Sequence, residues 1–387
     1  MMDVMRWDNL RLDEPPPADD AARPPHALPG AALPRAGDAQ LPLFARGAVT
    51  RTFDTPGFRG MTFYEIQAKS IVSRVPGTSR VPFTWTINPY RGCQHACSYC
   101  FARNSHTYLD LDAGEDFDSK VIVKVNAPEL LRKKLASPGW RGEHIAMGTN
   151  VDCYQRAEGR YELMRGILAA LRDAANPFSL LTKGTLILRD LDLLLEAAEV
   201  TSVGLNVSAG FTDKSLWRSV EPGTPAPDRR LDTCATLNDN GLPCGVLMGP
   251  VIPFLSDSPA QLDATVRQIA AAGATHVTPI VLHLRPGTRE WFLRWLADTH
   301  PELTGRYAAL YRRGAYAPPD YQARIAAQVA ELADRYGIGN RHSPTGPRGA
   351  RAVAGTDTTS TTSTTSTTST TAMLADSPAT PEQLTLL

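Results

Sequence analysis

Three cysteines in one short segment carry the residue types and spacing that could do chemistry. Residues 88–100 read NPYRGCQHACSYC, which spaces Cys93, Cys97 and Cys100 as CxxxCxxC. Thiolates at this spacing fit a loop that bends round a metal centre, and Gly92 lets the backbone approach that centre closely. A [4Fe–4S] cube normally takes four ligands, and no fourth cysteine lies nearby. One iron would then stay open to a small chelating molecule, as a catalytic metal keeps an open position.

Two other kinds of site agree with the same three cysteines. A zinc ion prefers four ligands, and His95 lies between two of the cysteines, so a zinc site stays open. An electron-transfer cluster with a fourth ligand from a distant part of the chain is the second alternative. Cys234 and Cys244 fall within a predicted helix and before a predicted strand, and both are interpreted as core residues.

The elements that position these residues follow from the pattern of apolar runs. Short apolar runs alternate with amphipathic helical patterns, which predicts parallel β/α units in an open sheet or a barrel. Sites in such architectures lie at the carboxyl ends of the strands. The predicted strands are residues 144–148, 178–182, 203–208, 245–251 and 277–284.

Composition bounds the rest of the chain. The 387 residues suffice for one large α/β domain, and 42% hydrophobic with 21% charged residues is normal for a soluble globular protein. Forty basic residues balance forty acidic ones, so no overall positive field indicates nucleic acid. No stretch approaches the ~20 apolar residues of a membrane span, and the N-terminus lacks the apolar core of a secretory signal. We therefore expect a cytoplasmic protein with no membrane partner and no disulfides.

Four segments are predicted along the chain. Residues 1–45 are rich in Pro and Ala and are expected to form a disordered arm, as is the Thr/Ser-rich tail at residues 343–387. Residues 58–290 hold the β/α series with an N-terminal extension. Residues 291–342 form a C-terminal helical region.

With Tyr99 just before the third cysteine, the motif resembles the signature of the radical S-adenosylmethionine (SAM) superfamily. The likeness runs from about residue 87 to 313. Within the superfamily, the sequence most resembles the branch related to spore photoproduct lyase (SplB-like). Within that branch, it most resembles an actinobacterial group of uncharacterised proteins. The carrying segments include NPYRGCQHACSYCFAR, MGTNVDCYQRAEGRYELMR and GPVIPFLSD. The resemblance implies an α/β fold with a partial (β/α)6 barrel, and a [4Fe–4S] cluster on Cys93, Cys97 and Cys100. It also implies that SAM binds the open iron, that one-electron reduction cleaves it to methionine and a 5′-deoxyadenosyl radical, and that this radical abstracts hydrogen from a substrate.

The same resemblance implies SAM-binding positions at the strand ends. Gly148, Thr149 and Asn150 would contact the methionyl amino group, and Lys183 would pair with the carboxylate unless it is a surface lysine in a loop. Asn206 and Ser208 would bind the ribose or the carboxylate, or else would cap the next helix.

Two departures from the lyase concern hydrogen return. In the lyase a cysteine at the end of the second strand returns hydrogen to the product radical, and here Met147 and Gly148 hold that place. Cys153, a few positions on, could serve instead or be a buried core residue. The lyase's relay also uses a tyrosine just after the cluster, where this chain has Phe101. The catalytic candidates are therefore Tyr99 and Cys153, and the departures argue against a spore-type thymine lesion as substrate.

Several charged residues have two interpretations each. Glu158 is either an acid at a helix start or a contact to substrate or SAM. Arg229 and Arg230 either hold an anionic substrate or lie on a solvated surface, and the second interpretation is favoured. The basic run at residues 132–134 similarly suits either phosphate or a solvated helix face.

The partners follow from the same resemblance. Reductive cleavage needs an electron donor, expected to be flavodoxin- or ferredoxin-like, and nucleic acid is the first substrate class. Residues 40–44 (QLPLF, from Gln40 to Phe44) and 383–387 (QLTLL, from Gln383 to Leu387) resemble the peptide by which bacterial repair proteins hold the DNA sliding clamp. A radical enzyme acting on a peptide or small metabolite, and a non-enzymatic iron–sulfur module for redox sensing or binding, remain alternatives.

Overall fold

The part of the chain described by this computed structural model, residues 48–76 and 81–338, folds around two sheets. The strands are β1 Val49–Arg51, β2 Thr62–Ile66, β3 Val72–Arg74, β4 Trp85–Ile87, β5 Tyr90–Arg91, β6 Lys120–Lys124, β7 Ile145–Met147, β8 Phe178–Thr182, β9 Val203–Ser208, β10 Cys244–Val251 and β11 Val277–Val281. The α-helices are α1 Glu115–Ser119, α2 Ala127–Leu135, α3 Glu158–Tyr161, α4 Leu163–Asp173, α5 Leu191–Val200, α6 Lys214–Val220, α7 Pro227–Asp239, α8 Pro259–Ala271, α9 Thr288–Thr299, α10 Thr304–Leu310 and α11 Pro319–Arg335.

The larger sheet carries the strands that position the site. Its order is β11-β10-β9-β8-β7-β4-β3, and only β3 pairs antiparallel with its neighbour. The other strands are parallel, and β7 to β11 follow one another in chain order with helices between them, as β/α alternation predicts. β4 pairs with β7 across β5 and β6, which belong to the smaller sheet. The protein is therefore a mixed α/β fold built on a parallel sheet.

The smaller sheet supports the cysteine segment from one side. Its order is β1-β2-β6-β5, with β2 and β6 parallel and the two outer pairs antiparallel. β5 ends at Arg91, so Gly92 and Cys93 leave the sheet directly. The amide of Cys93 donates to the Phe117 carbonyl at 3.0 Å, which fixes where the loop begins.

Helices cover the parallel sheet and complete the core. Helix α4 buries Met164, Ile167, Leu168 and Leu171, which recur at helical spacing in the sequence. In the C-terminal helical region, α11 packs onto α8 and β11, while Phe292 and Trp295 of α9 belong to a second buried cluster. Cys234 and Cys244 are fully buried in the core, as predicted.

Some expectations from the sequence concern residues that the structure does not describe. Within residues 48–76 and 81–338, no helix combines the length and apolarity that crossing a membrane requires. Both clamp-like peptides lie outside the described residues, as do residues 1–45 and 343–387, which were predicted to form the two disordered arms.

Candidate active site

Buried polar side chains anchor the backbone of the cysteine loop. The Gln155 amide spans the start of the loop, because its Oε1 accepts from the Gln94 N–H at 3.0 Å and its Nε2 donates to the Gly92 carbonyl at 3.0 Å. Arg103 is fully buried, and its Nε and Nη2 donate to the Cys97 carbonyl at 3.2 and 3.0 Å. Thr288 Oγ1 donates to the carbonyl of the third cysteine at 2.9 Å. The loop is therefore held at its start, middle and end.

The three thiols line one cavity at the carboxyl ends of the parallel strands. Cys93 and Cys97 are buried and Cys100 is partly buried, and all three are free of disulfides. The other lining residues come from the loop itself, from the ends of β7 to β11 and from the segments after them. They are His95, Tyr99, Phe101, Gly148, Asn150, Val151, Asp152, Leu181, Thr182, Lys183, Ser208, Leu247, Gly249, Pro250, Ile280, Leu282 and His283.

Gly148 makes a close approach of two strand ends possible. It follows β7 with φ +74°, and a Cβ there would lie 1.8 Å from the carbonyl oxygen of Leu181. Any other residue would suffer both a left-handed backbone and a clash with backbone that cannot move independently. This position, where the lyase resemblance expects a cysteine, therefore requires a glycine in this chain.

A polar network links the cysteine loop to the ends of β8 and β9. Lys183 Nζ donates to Ser208 Oγ at 2.8 Å, and its own backbone N–H donates to Asp152 Oδ2 at 2.6 Å. The other oxygen of Asp152 accepts from Thr182 Oγ1 at 2.6 Å. His95 Nδ1 lies 3.5 Å from Asp152, and burial lowers the pKa of this histidine to about 4. The imidazole is therefore neutral at pH 7.

Burial also shapes the electrostatics of the thiols. Loss of solvent raises the pKa of Cys93, Cys97 and Cys100 above the ordinary cysteine value. The positive charges of Lys183 and Arg230 act in the opposite direction on Cys97. For Lys183, burial lowers the pKa, while nearby Cys97 raises it. A negatively charged group in the cavity would raise the lowered pKa of Lys183. The positive charge of Lys183 in turn favours the thiolate form of Cys97.

A buried ion pair positions Tyr99. The Tyr99 hydroxyl donates to Glu221 Oε1, and Arg230 Nη2 donates to Glu221 Oε2. The remaining donors of Arg230 reach the Pro225 carbonyl at 2.8 Å and the Ser208 carbonyl at 3.2 Å. The prediction of a solvated Arg230 was therefore wrong. Its charge is buried because Glu221 neutralises it and each of its three nitrogens donates a hydrogen bond, whereas Arg229 is exposed.

Three of the residues predicted from the resemblance do not line the cavity. Thr149 Oγ1 lies 2.6 Å from Thr86 Oγ1, and Asn206 Oδ1 lies 2.8 Å from His276 Nε2. Cys153 is 1% exposed and belongs to the hydrophobic core. Tyr99, Gly148, Asn150, Lys183 and Ser208 do line the cavity together with the three cysteines.

Glu158 serves the fold rather than the cavity. It is fully buried, and its carboxylate accepts from the Leu163 and Met164 N–H groups at 3.1 and 3.0 Å, which begin helix α4. Tyr90 Oη and Arg189 Nη2 donate to it at 2.5 and 2.7 Å. Of its two interpretations, the acid at a helix start agrees with this placement, although the helix is α4 rather than the one in which it lies.

The ligand geometry suits a cluster better than a single ion. Among the described residues, no three His, Cys, Asp or Glu side chains are placed to hold one metal ion. The three thiols instead share the wall of a larger cavity. Cysteines that hold a cube each bind a different iron, so they need not converge on one point. The residues present therefore fit a [4Fe–4S] cluster.

Comparison with known proteins agrees with this site. The model of the radical SAM superfamily matches residues 87–266, which contain the three cysteines and β7 to β10. The chain belongs to the radical SAM superfamily. As a radical SAM enzyme, it uses a [4Fe–4S] cluster and SAM.

The chain is also similar to two uncharacterised proteins and to a solved structure. An uncharacterised protein of Mycobacterium tuberculosis is 49% identical over 310 residues, which cover 80% of this chain and 91% of that protein. An uncharacterised protein of Methanocaldococcus jannaschii is 34% identical over 195 residues, or 50% of this chain and 69% of that one. Spore photoproduct lyase complexed with dinucleoside spore photoproduct has a TM-score of 0.54 at 14% identity, covering 72% of this chain and 80% of the lyase. The similarity to the lyase is a similarity of fold.

The sequence did not predict which residues hold the cysteine loop of this radical SAM site, namely Arg103, Gln155 and Thr288. His95, considered above as a zinc ligand, lines the cavity, and so does Asp152. The type of a polar residue does not reveal whether it is buried, and Gln155 and Thr288 find their partners far along the chain. A weak signal existed for Arg103, which lies three residues beyond the last cysteine within the carrying segment.

Proposed function

We propose that this radical SAM enzyme abstracts hydrogen from a nucleic-acid substrate, in repair or modification. The observation that carries the proposal is the shape of the cavity. Its inner wall bears the three thiols and Lys183, and its rim includes Phe101 and Ile280, each 39% exposed. A site for SAM is thus continuous with open surface, which suits one unit of a large molecule. The lyase that shares the fold is complexed with a dinucleoside lesion, which supports the substrate class.

Each wall residue has a role in this proposal. Cys93, Cys97 and Cys100 would bind three irons as thiolates. Lys183, oriented by Ser208, would receive the SAM carboxylate, because a buried cation gains from an anionic partner. Tyr99 is the phenol that a substrate radical would meet, since Cys153 lies in the core.

When bound, the cluster and SAM would supply hydrogen-abstracting chemistry: one-electron cleavage of SAM to methionine and a 5′-deoxyadenosyl radical, which would take a hydrogen atom from a substrate C–H bond. We infer that the electron comes from a flavodoxin- or ferredoxin-like donor. We also infer that the parallel strands β4 and β7 to β11 form the partial barrel typical of the superfamily. The protein's own part is to orient SAM and exclude water at the buried thiols.

The test is the release of 5′-deoxyadenosine. The cluster is reconstituted anaerobically, SAM and dithionite are added, and product is measured with single-stranded DNA, RNA, a peptide digest or no addition. We expect nucleic acid to increase release, and deuterium from labelled nucleotides to enter 5′-deoxyadenosine. Cys97→Ala, which lacks one ligand, should give none.

Other outcomes would point to the alternatives. Stimulation and deuterium transfer with peptides alone would assign the radical to a peptide substrate. A cluster whose electron paramagnetic resonance spectrum does not change on addition of SAM would contradict the proposal and favour an iron–sulfur sensing module.

A further inference from the structure

Three aromatic rings form a continuous path from the cavity wall to the surface. Phe101 and His283 both line the cavity, with ring centroids 5.8 Å apart. His283 stacks on Tyr316 with centroids 5.5 Å apart and planes 26° from parallel. Phe101 is 39% and Tyr316 43% exposed. These three residues, here called the aromatic ladder, come from three separate parts of the chain.

The aromatic ladder is held in place by backbone and side-chain bonds. His283 and Tyr316 form an antiparallel bridge, and the Leu284 N–H donates to the Ala315 carbonyl at 2.7 Å. Arg285 Nη2 donates to Tyr316 Oη at 2.8 Å. Burial and the neighbouring Arg285 lower the pKa of His283 to about 4, so its ring is neutral at pH 7. The ladder is thus a preorganised, uncharged stacking surface, which costs little entropy on binding.

Exposed aromatic rings at a cavity mouth indicate a partner that covers them. Large apolar groups are unfavourable in water, and clusters of them on a protein surface commonly mark binding sites. Every nucleobase has an apolar face, and stacking on aromatic side chains is the usual way in which proteins hold unpaired bases.

The two segments that carry His283 and Tyr316 are positively charged. Arg285, Arg312 and Arg313 are exposed in these segments. Residues 281–289 and 304–318 contain no Asp or Glu, although the whole chain is neutral. The next acidic residue, Glu290, accepts from the Gly287 N–H at 2.6 Å. The two segments that meet at the aromatic ladder therefore bring positive charge and no carboxylate.

We propose that the aromatic ladder stacks the bases of single-stranded nucleic acid, while Arg285, Arg312 and Arg313 contact its phosphates. One unpaired nucleotide is thereby delivered to the cavity. The inference rests on the proposed function and names the state of its substrate: single-stranded or locally unpaired, because a duplex hides its base faces. A peptide could stack on the rings but carries no regular row of anionic groups for the arginines.

The first test measures stacking. Fluorescence anisotropy of the reconstituted protein with labelled 12-nucleotide single-stranded DNA, the same RNA sequence and the hairpin duplex gives three affinities. We expect both single strands to bind more tightly than the duplex. Tyr316→Ala should weaken single-strand binding about 5- to 100-fold, the range of one lost base stack. Tyr108→Ala, which removes a tyrosine 50% exposed outside the ladder, is the matched control and should bind like wild type.

The second test measures phosphate contacts. The plot of log K against log salt for a single strand should have a slope smaller in magnitude by about 1.4 for the double variant Arg312→Gln/Arg313→Gln, since each of two lost phosphate contacts contributes about 0.7. Arg132→Gln is its control, because Arg132 lies in helix α2, away from the cavity. In the same helix, Lys134 lies over the ring of Trp85, the first residue of β4. Helix α2 is therefore near the amino ends of the parallel strands, whereas the cavity is at their carboxyl ends. Iron content and near-ultraviolet circular dichroism show whether each variant folds.

The outcomes separate this inference from the proposed function. If Tyr316→Ala and Tyr108→Ala bind single strands equally, while nucleic acid still stimulates 5′-deoxyadenosine release, the aromatic ladder does not bind bases. The proposed action on nucleic acid is then still supported. If the wild type binds no nucleic acid at low salt, or binds the duplex more tightly, the inference is overturned. An anionic aromatic peptide that binds more tightly than either single strand would overturn it as well.

Discussion

Neighbouring residues of the same type have opposite environments at this site. Arg229 and Arg230 follow each other in α7, and the helical rotation between them puts one in water and the other in the core. The sequence shows two arginines and a glutamate nine residues earlier, but not that Glu221 and Arg230 meet beneath Tyr99. The chemistry-bearing cysteines could be predicted because their spacing is local. The ion pair could not, because its energy depends on burial.

Removing one partner of the Glu221–Arg230 pair should be costly. Arg230→Gln leaves a buried carboxylate without its cation, so we expect the free energy of unfolding to fall by about 3–5 kcal/mol. Arg229→Gln, one residue away and exposed, should change it by about 0.5 kcal/mol or less. Urea unfolding followed by circular dichroism measures both. Equal midpoints for the two variants would contradict the buried-pair interpretation.

Lys183 should contribute to SAM binding through its charge. Lys183→Met keeps the length of the side chain and loses the ammonium group, which sits 2.8 Å from Ser208 Oγ at the cavity wall. A hydrogen bond to a charged group contributes about 1.5–3 kcal/mol, so SAM affinity should fall about 10-fold or more. Isothermal titration of the reconstituted protein measures this, with the exposed Lys133→Met as control. Unchanged affinity in Lys183→Met would remove the lysine from the SAM site.

Glu158 should make stability depend on pH. Burial raises its pKa from 4.5 to about 7 in the folded protein, so the folded state binds this proton more tightly than the unfolded chain. The resulting stability is complete below about pH 4.5 and is lost as pH rises through about 7, on the order of 3 kcal/mol. In Glu158→Gln the difference in unfolding free energy from wild type should change over that range. The exposed Glu129→Gln should run parallel to wild type, and a parallel Glu158→Gln would refute the assignment.

At the scale of elements, the pattern of apolar residues predicted those strands whose limits are set by the neighbouring sequence. The strands at residues 178–182 and 203–208 have the predicted bounds, because both are apolar runs ended by loop residues. The predicted strand 277–284 ends earlier, at Val281, because the chain turns to pair His283 with Tyr316. Strands β1 to β6 were not predicted. Four of them have only two or three residues, and the pairing of β2 with β6 joins segments far apart in the chain, which periodicity does not record.

The junction of β7 and the cavity should tolerate no side chain at Gly148. Gly148→Ala combines a left-handed φ of +74° with a Cβ 1.8 Å from the Leu181 carbonyl, so two strand ends must separate. Gly142→Ala is a matched control, since its φ is +70° and nothing lies within 4 Å of the added Cβ. We expect about 1 kcal/mol of destabilisation for the control and about 3 kcal/mol or more for Gly148→Ala. Chemical denaturation tests this, and equal losses would show that the clash relaxes at no cost.

At the scale of the whole molecule, function is concentrated where separate segments meet. The net charge is zero, yet Arg285, Arg312 and Arg313 lie in the two segments that meet at the aromatic ladder, whose three rings come from beside the cysteine motif, from after β11 and from before α11. Composition alone gave no sign of a nucleic-acid partner. In the proposed stacking surface, a few locally placed charges supply the attraction that the net charge does not.

The two clamp-like peptides give a prediction that involves the full chain. Residues 40–44 precede the described residues in the sequence and residues 383–387 follow them, so we propose that one protein engages two subunits of a ring-shaped DNA sliding clamp. Tethering makes the second contact intramolecular and raises avidity without new contacts. We expect Leu43→Ala/Phe44→Ala and Leu386→Ala/Leu387→Ala each to weaken clamp binding about 10-fold or more, and all four substitutions together to abolish it in surface plasmon resonance. Arg132→Gln, a change within the described fold, should bind like wild type. Binding that survives all four substitutions would place the contact elsewhere, and no binding by the wild type would remove the clamp from the partners of this enzyme.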